Sequence, residues 1–301
     1  MKENIKKVFK VLLYLIVFSS LYLIMQIVFT FPYTFIYMFL KTGANSISGD
    51  PNAFLSVNPQ DAVQSVLMPV LLSAIIMTFG IAWLSHVLFK KSFFERLYFN
   101  KTTILLAVLC FVAGLSLQIP IGDIISLVEK SGVMPDAINK YAEMMESIMS
   151  GQSFILEILL TGILVPIIEE IMYRGLVFDQ LRKNLPLSLA LIIQALIFGI
   201  IHLNMVQGTY AFMIGILLGV ALIRSRSIIL PIAIHMGTNL SGVILSKYQD
   251  QIGISAETII RVSSYVLAPV CIMTILLITI NKPHITNYKP HITNYETKAL
   301  E

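Results

Sequence analysis

The chain of 301 residues carries a formal net charge of +4, is 56% hydrophobic and only 13% charged, and has a mean hydropathy of +0.82. Soluble domains average roughly 25% charged residues, and a domain this apolar would expose large adhesive patches in water. A water-soluble class is excluded, and in a membrane protein this net charge says little about nucleic acid; the partner to expect is the lipid bilayer, with no nucleic acid.

The N-terminus, MKENIKKVFK, precedes an uncharged run from Val11 to Leu40. That run is far longer than the roughly 7–15 residues of a signal-peptide core, and no small-x-small cleavage site follows. It reads as a retained first span with an interfacial extension. A helix needs about 20 apolar residues to cross the hydrocarbon. Eight candidates meet or approach this length: 11–31, 64–89, 102–121, 158–181, 186–203, 209–223, 228–246 and 262–280. The expected fold class is therefore all-α, a polytopic helical membrane protein with about eight transmembrane helices in one bundle.

The links between spans alternate in charge. The N-terminus (Lys2, Lys6, Lys7, Lys10), the second link (Lys90, Lys91, Arg96, Lys101), the fourth (Arg182, Lys183), the sixth (Arg224, Arg226) and the tail are basic. The intervening links are poor in Lys and Arg or rich in acid, as with Asp123, Glu129, Asp136, Glu143 and Glu146. By the positive-inside rule both termini face the cytoplasm, in a multi-pass plasma-membrane protein with an even number of spans. Within the external segment 122–157, MPDAINKYAEMMESIM has apolar residues at helical spacing, either as a helix on the outer surface or as a lid over a site. The tail repeats KPHITNY at 282–288 and 289–295, which places His284 and His291 seven apart without an acidic partner. A duplicated disordered segment explains that better than a metal site. The final residues, KALE, are no prenylation signal. Cys110 and Cys271 lie in apolar runs and read as packing residues.

A charged side chain at the bilayer centre costs on the order of 2.5–3.5 kcal/mol even on mild scales. The ionisable residues inside the spans are His86, Glu169, Glu170, Arg174, Asp179, His202 and His235. His86 and Asp179 fall near cytoplasmic ends and are expected to reach the interface. Glu170 and Arg174 are four apart, on one helix face, and can pair. Glu169 is turned about 100° from Glu170. An ion pair needs only one glutamate, so the second carboxylate calls for another purpose. The fifth span sets Phe198 and His202 one turn apart, and the seventh sets His235 and Asn239 on one face. Glu169 and His235 lie near mid-span, while His202 sits about 8 Å nearer the outer end at 1.5 Å per residue. Convergence requires helix tilt or a later start to the fifth span. Pro166 and Pro231 precede the polar residues and open the helices beside them.

A carboxylate beside an imidazole can deprotonate water, and a second imidazole with an amide can stabilise an oxyanion. These are parts for amide hydrolysis by activated water. No serine or cysteine is obviously paired with a histidine. The same ligands, Glu169, His202 and His235, could instead hold zinc with water as fourth ligand, though H-E-x-x-H is absent.

EEIMYR fits E-E-x-x-x-R, FGIIH fits F-x-x-x-H and HMGTN fits H-x-x-x-N. In this order they resemble the CPBP family of intramembrane proteases, which includes the type II CAAX prenyl endopeptidases and the Abi group linked to bacteriocin processing and self-immunity. The resemblance divides the chain into N-terminal helices with an external amphipathic segment (1–149), a protease-like core (150–246), a last span (247–280) and a cytoplasmic tail (281–301). It implies that Glu169 and His202 activate water and that His235 and Asn239 bind the oxyanion. Glu170, Arg174 and Phe198 would support them. It also implies catalysis without a cofactor, zinc being the alternative. The substrate would be a membrane-associated protein or peptide, and in a bacterial cell membrane a pheromone or bacteriocin leader. Two rivals remain: a non-catalytic immunity or scaffold protein using the same cavity, and a proton-coupled transporter, for which no internal repeat is visible.

Overall fold

The computed structural model describes residues 2–46, 57–88, 97–149, 153–248 and 251–279, and every regular element in them is helical. The KPHITNY repeat, with His284 and His291, lies outside the described residues. In chain order the helices are α1 (Lys2–Ser46), α2 (Pro59–Leu88), α3 (Ile104–Lys130), α4 (Pro135–Met149), a segmented α5 (154–182), α6 (Leu187–Ile200), α7 (Met205–Ser225), α8 (Ile229–Tyr248) and α9 (Ile254–Thr279).

Six of these are long and apolar enough to cross a membrane: α1, α2, α3, α7, α8 and α9. The two other apolar runs in the sequence take different forms. The fifth becomes the 14-residue α6. The fourth becomes α5, which alternates α-helical and wide π-helical turns over Ile158–Leu164 and Ile171–Val177. The Val165 N–H reaches back five residues to the Leu160 carbonyl, and the Phe178 N–H five residues to Tyr173. Pro166 gives the first wide turn a cause. Proline has no N–H to return and its ring crowds the carbonyl four residues earlier, and an expanded turn relieves that crowding. Several helices are longer than the hydropathic runs suggest: α1 continues through Pro32, α3 runs on to Lys130 and α9 starts at Ile254.

Small residues set the closest helix approaches, as in membrane bundles generally. A Cβ on Gly114 of α3 would stand 2.0 Å from the Ile234 carbonyl oxygen of α8, and one on Gly237 would stand 2.3 Å from the Phe111 oxygen. Thr238 Oγ1 donates to the Gly114 carbonyl at 3.2 Å across the same crossing. This backbone-to-backbone seat fixes the rotation of α8 and turns His235 and Asn239 away from α3. Gly114→Val is therefore expected to destabilise the protein by about 1–3 kcal/mol or more, the range for overpacking a tight core. Thermal unfolding of the detergent-purified protein measures it.

Two ionisable groups expected at the interface are instead buried by neighbouring elements. His86 is packed against Phe18 of α1 with ring centroids 5.8 Å apart, and its Nδ1 lies 2.8 Å from the Ala82 carbonyl oxygen. Asp179 accepts hydrogen bonds from Tyr98 (2.8 Å) and Arg182 (2.7 Å) and pairs with Lys183. Tyr98 lies outside the spans; burial, with the Asp179 charge, pushes its phenol far above its ordinary value, so it stays a neutral donor.

Candidate active site

The segmented helix α5 brings two acids and a cation to one level of the bundle. Glu170 and Arg174 are fully buried, and Arg174 Nη1 donates to Glu170 Oε1 at 2.8 Å. The guanidinium also lies over the Phe198 ring of α6, 4.3 Å from its centroid. Its Nη2 reaches the Gly215 carbonyl oxygen of α7 at 3.4 Å. This cation is thus held on three sides by groups from three helices, which offsets part of the desolvation cost of burying it.

Glu170 Oε1 also lies 2.8 Å from His235 Nδ1. A carboxylate accepts, so Nδ1 carries a proton and the ring is oriented with Nε2 on the other side. His235 Nε2 lies 3.6 Å from Glu169 Oε2. The order Arg174–Glu170–His235–Glu169 is a continuous polar chain across α5 and α8. Its first two members are sealed, whereas Glu169 lines a cavity of about 710 Å³.

The same cavity wall carries His202, His235, Asn239 and Phe198. His202 does not sit within α6; that helix ends at Ile200, and His202 occupies the turn before α7. Leu203, next in this turn, has a left-handed backbone, φ 53°. His202 Nδ1 lies 2.7 Å from the Phe198 carbonyl oxygen. Both imidazoles meet Phe198 edge to face, with centroids at 5.0 Å for His202 and 5.7 Å for His235. One phenyl ring therefore spaces the two histidines and carries the Arg174 guanidinium. Asn239 gives one amide N–H to the Thr161 carbonyl at 3.0 Å. An amide has two N–H donors, so the second remains for a ligand.

Glu169, His202 and His235 share the cavity, but only Glu169 and His235 approach to within ion-pair distance among the described residues. Among those residues no three His, Cys, Asp or Glu side chains gather in an arrangement that could hold a metal ion. The zinc triad of Glu169, His202 and His235 is not assembled around one point as these side chains stand, and His235, held by Glu170 through Nδ1, has Nε2 as its one remaining ring nitrogen.

The rest of the wall comes from elements without sequence motifs. Tyr22 and Gln26 of α1 line it, and α1 is tied to α5 by Tyr173, whose hydroxyl donates to the Ser19 carbonyl at 2.9 Å. Helix α4 covers the cavity through Tyr141 and Met145, leaving Asp136, Lys140, Glu143 and Glu146 exposed. The Tyr141 ring meets Tyr210 of α7 edge to face at 6.2 Å, and burial raises its phenol above the ordinary value, so it presents a neutral hydroxyl. Arg261 of α9 bonds Asp123 of α3 at another part of the wall. A search restricted to ionisable groups inside spans passes over Tyr22, Tyr141 and Gln194. Gln194 leaves a sequence signal, as an amide in the apolar run of α6, as does Gln26 in that of α1.

The chain is an all-helical membrane protein with a buried acid–imidazole chain that opens on a cavity. Residues 151–241 match the family model described as Type II CAAX prenyl endopeptidase Rce1-like. Over this segment, from the start of α5 into α8, the chain is similar to the CPBP family of membrane proteases. No curated protein and no solved structure matches it.

Proposed function

We propose that the protein is an intramembrane endopeptidase that hydrolyses a peptide bond with water activated by Glu169 and His202. The observation that carries this reading is Glu169. Its carboxylate faces the cavity 3.6 Å from His235 Nε2, while its neighbour Glu170 is sealed against Arg174. One carboxylate balances the cation, and the other meets the substrate space.

In this mechanism Glu169 takes a proton from water while His202 orients it. The water oxygen bonds to the scissile carbonyl carbon, and the π electrons move onto the carbonyl oxygen. His235 and the free N–H of Asn239 donate to that oxyanion. Glu170 accepts from Nδ1–H and so aims Nε2 away from itself, the ring atom that donates to the oxyanion when it carries a proton. Collapse of the intermediate breaks the C–N bond, and the proton held by Glu169 goes to the leaving amine. Donors aimed at a developing oxyanion are worth about 3–4 kcal/mol each in known hydrolases.

The substrate is a membrane-associated peptide or protein, with a prenylated C-terminus, a peptide pheromone or a bacteriocin leader as candidates. Both termini face the cytoplasm in this reading, on the alternation of basic links. The chain in liposomes, given a farnesylated peptide ending in Cys-aliphatic-aliphatic-Met, is expected to release the terminal tripeptide, detected by mass spectrometry. A panel of unprenylated membrane-anchored peptides separates prenyl-dependent from general cleavage. If none of them is cut, the peptidase reading fails. Cleavage is expected to continue at its full rate after dialysis against a chelator, with no stoichiometric zinc in elemental analysis. Loss on chelation and recovery with zinc would reinstate the metal alternative.

A further inference from the structure

We propose that Gln194 is a positioning residue that sets the acid–imidazole chain from behind; this rests on the peptidase reading above. Gln194 is fully buried and does not line the cavity. Its Nε2 donates to the Gly215 carbonyl at 2.9 Å and to Leu191 of its own helix at 3.0 Å. Gly215 is also the oxygen that Arg174 Nη2 reaches at 3.4 Å. The amide and the guanidinium therefore meet at one acceptor. Phe198, one turn beyond Gln194 on α6, forms the floor under the same guanidinium. Gly219 makes the seat, since a Cβ there would stand 2.9 Å from Gln194 Nε2.

The seat has a consequence for the reaction. Arg174 holds Glu170, Glu170 holds the His235 ring through Nδ1, and Nε2 of that ring faces Glu169. Whatever fixes the guanidinium fixes the direction of the imidazole. Gln194 does so at a cost in stability, because its Oε1 is a buried acceptor with no hydrogen-bond partner among the described residues. An unpaired polar atom in a membrane interior is unfavourable, and replacing the whole group by an apolar one of similar shape is neutral or stabilising. A packing residue at this position would be better served by Leu or Met. Stability and function should therefore move in opposite directions on substitution.

The test uses the full chain in lipid nanodiscs with Gln194→Met, whose unbranched side chain suits the space beside Gly219, and Gln194→Leu as a second variant. The probe is an internally quenched farnesylated peptide ending in Cys-aliphatic-aliphatic-Met, with Glu169→Ala run in parallel. Both Gln194 variants are expected to unfold at the parental temperature or above. Their kcat should fall about tenfold, a loss of one well-placed interaction in the transition state, with KM unchanged. The ring nitrogen resonances of 15N-labelled His235, assigned by their loss in His235→Asn, should move. Parental kcat with unmoved resonances would overturn the proposal, as would a fall in activity that tracks a fall in unfolding temperature. If the parent does not cleave, or Glu169→Ala cleaves as well as the parent, it is the peptidase reading that fails. The histidine resonances then still report whether Gln194 orients His235.

Discussion

Glu169→Ala is expected to lower kcat by about three orders of magnitude while the protein inserts and folds as before. General-base catalysis contributes roughly 10²–10⁴-fold. Glu169 faces the cavity with its side chain 13% exposed, so its removal leaves no buried charge unpaired. Glu169→Gln is the sharper variant, because it keeps the volume and removes only the proton acceptor. Its kcat should fall by a similar factor, with KM near the parental value if the peptide is held mainly by the cavity wall. Single-turnover cleavage in liposomes checks both. Retained cleavage would assign the proton transfer to another group and remove Glu169 from the proposed mechanism.

Arg174→Met has the opposite character. It is expected to destabilise the fold by about 3–5 kcal/mol, the cost of leaving one partner of a buried pair uncompensated. Glu170 would keep only the imidazole of His235 as a partner. Adding Glu170→Gln should restore folding, since a neutral amide tolerates the buried site, whereas activity should stay low because His235 loses the carboxylate that orients it. Thermal unfolding and kcat measured on the single and double variants separate the two effects. A double variant with parental activity would show that the Arg174–Glu170 pair serves insertion or stability alone. The ordering of the two glutamates thus has an experimental signature: loss at position 169 is catalytic with little structural cost, and loss at 174 is structural first.

Much of this was legible from residue types and spacing. Composition dictated a helical membrane protein, because backbone groups in hydrocarbon must be satisfied within each segment. The i,i+4 spacing of Glu170 and Arg174 dictated an ion pair, since those positions stack on any α-turn. The unmatched carboxylate of Glu169 followed from the same arithmetic. The assumption that polar residues near span ends reach water was less sound. His86 and Asp179 are enclosed by α1 and by the 97–101 segment, partners distant in sequence. No local pattern carries that information.

What the sequence determined by itself is the inventory: helices, charges that need partners, and two imidazoles and an amide on the chain downstream of a glutamate pair. Local periodicity and the energetics of burying charge act within a few residues, so they are readable along a single chain. Only the tertiary structure decided which groups meet. It took the wide turns of α5, the end of α6 before His202 and the glycine crossing of Gly114 and Gly237 to set the rotation and depth of each helix. Side-chain convergence depends on the relative rotation and depth of whole helices, and those are fixed by contacts between residues 41 to more than 120 positions apart.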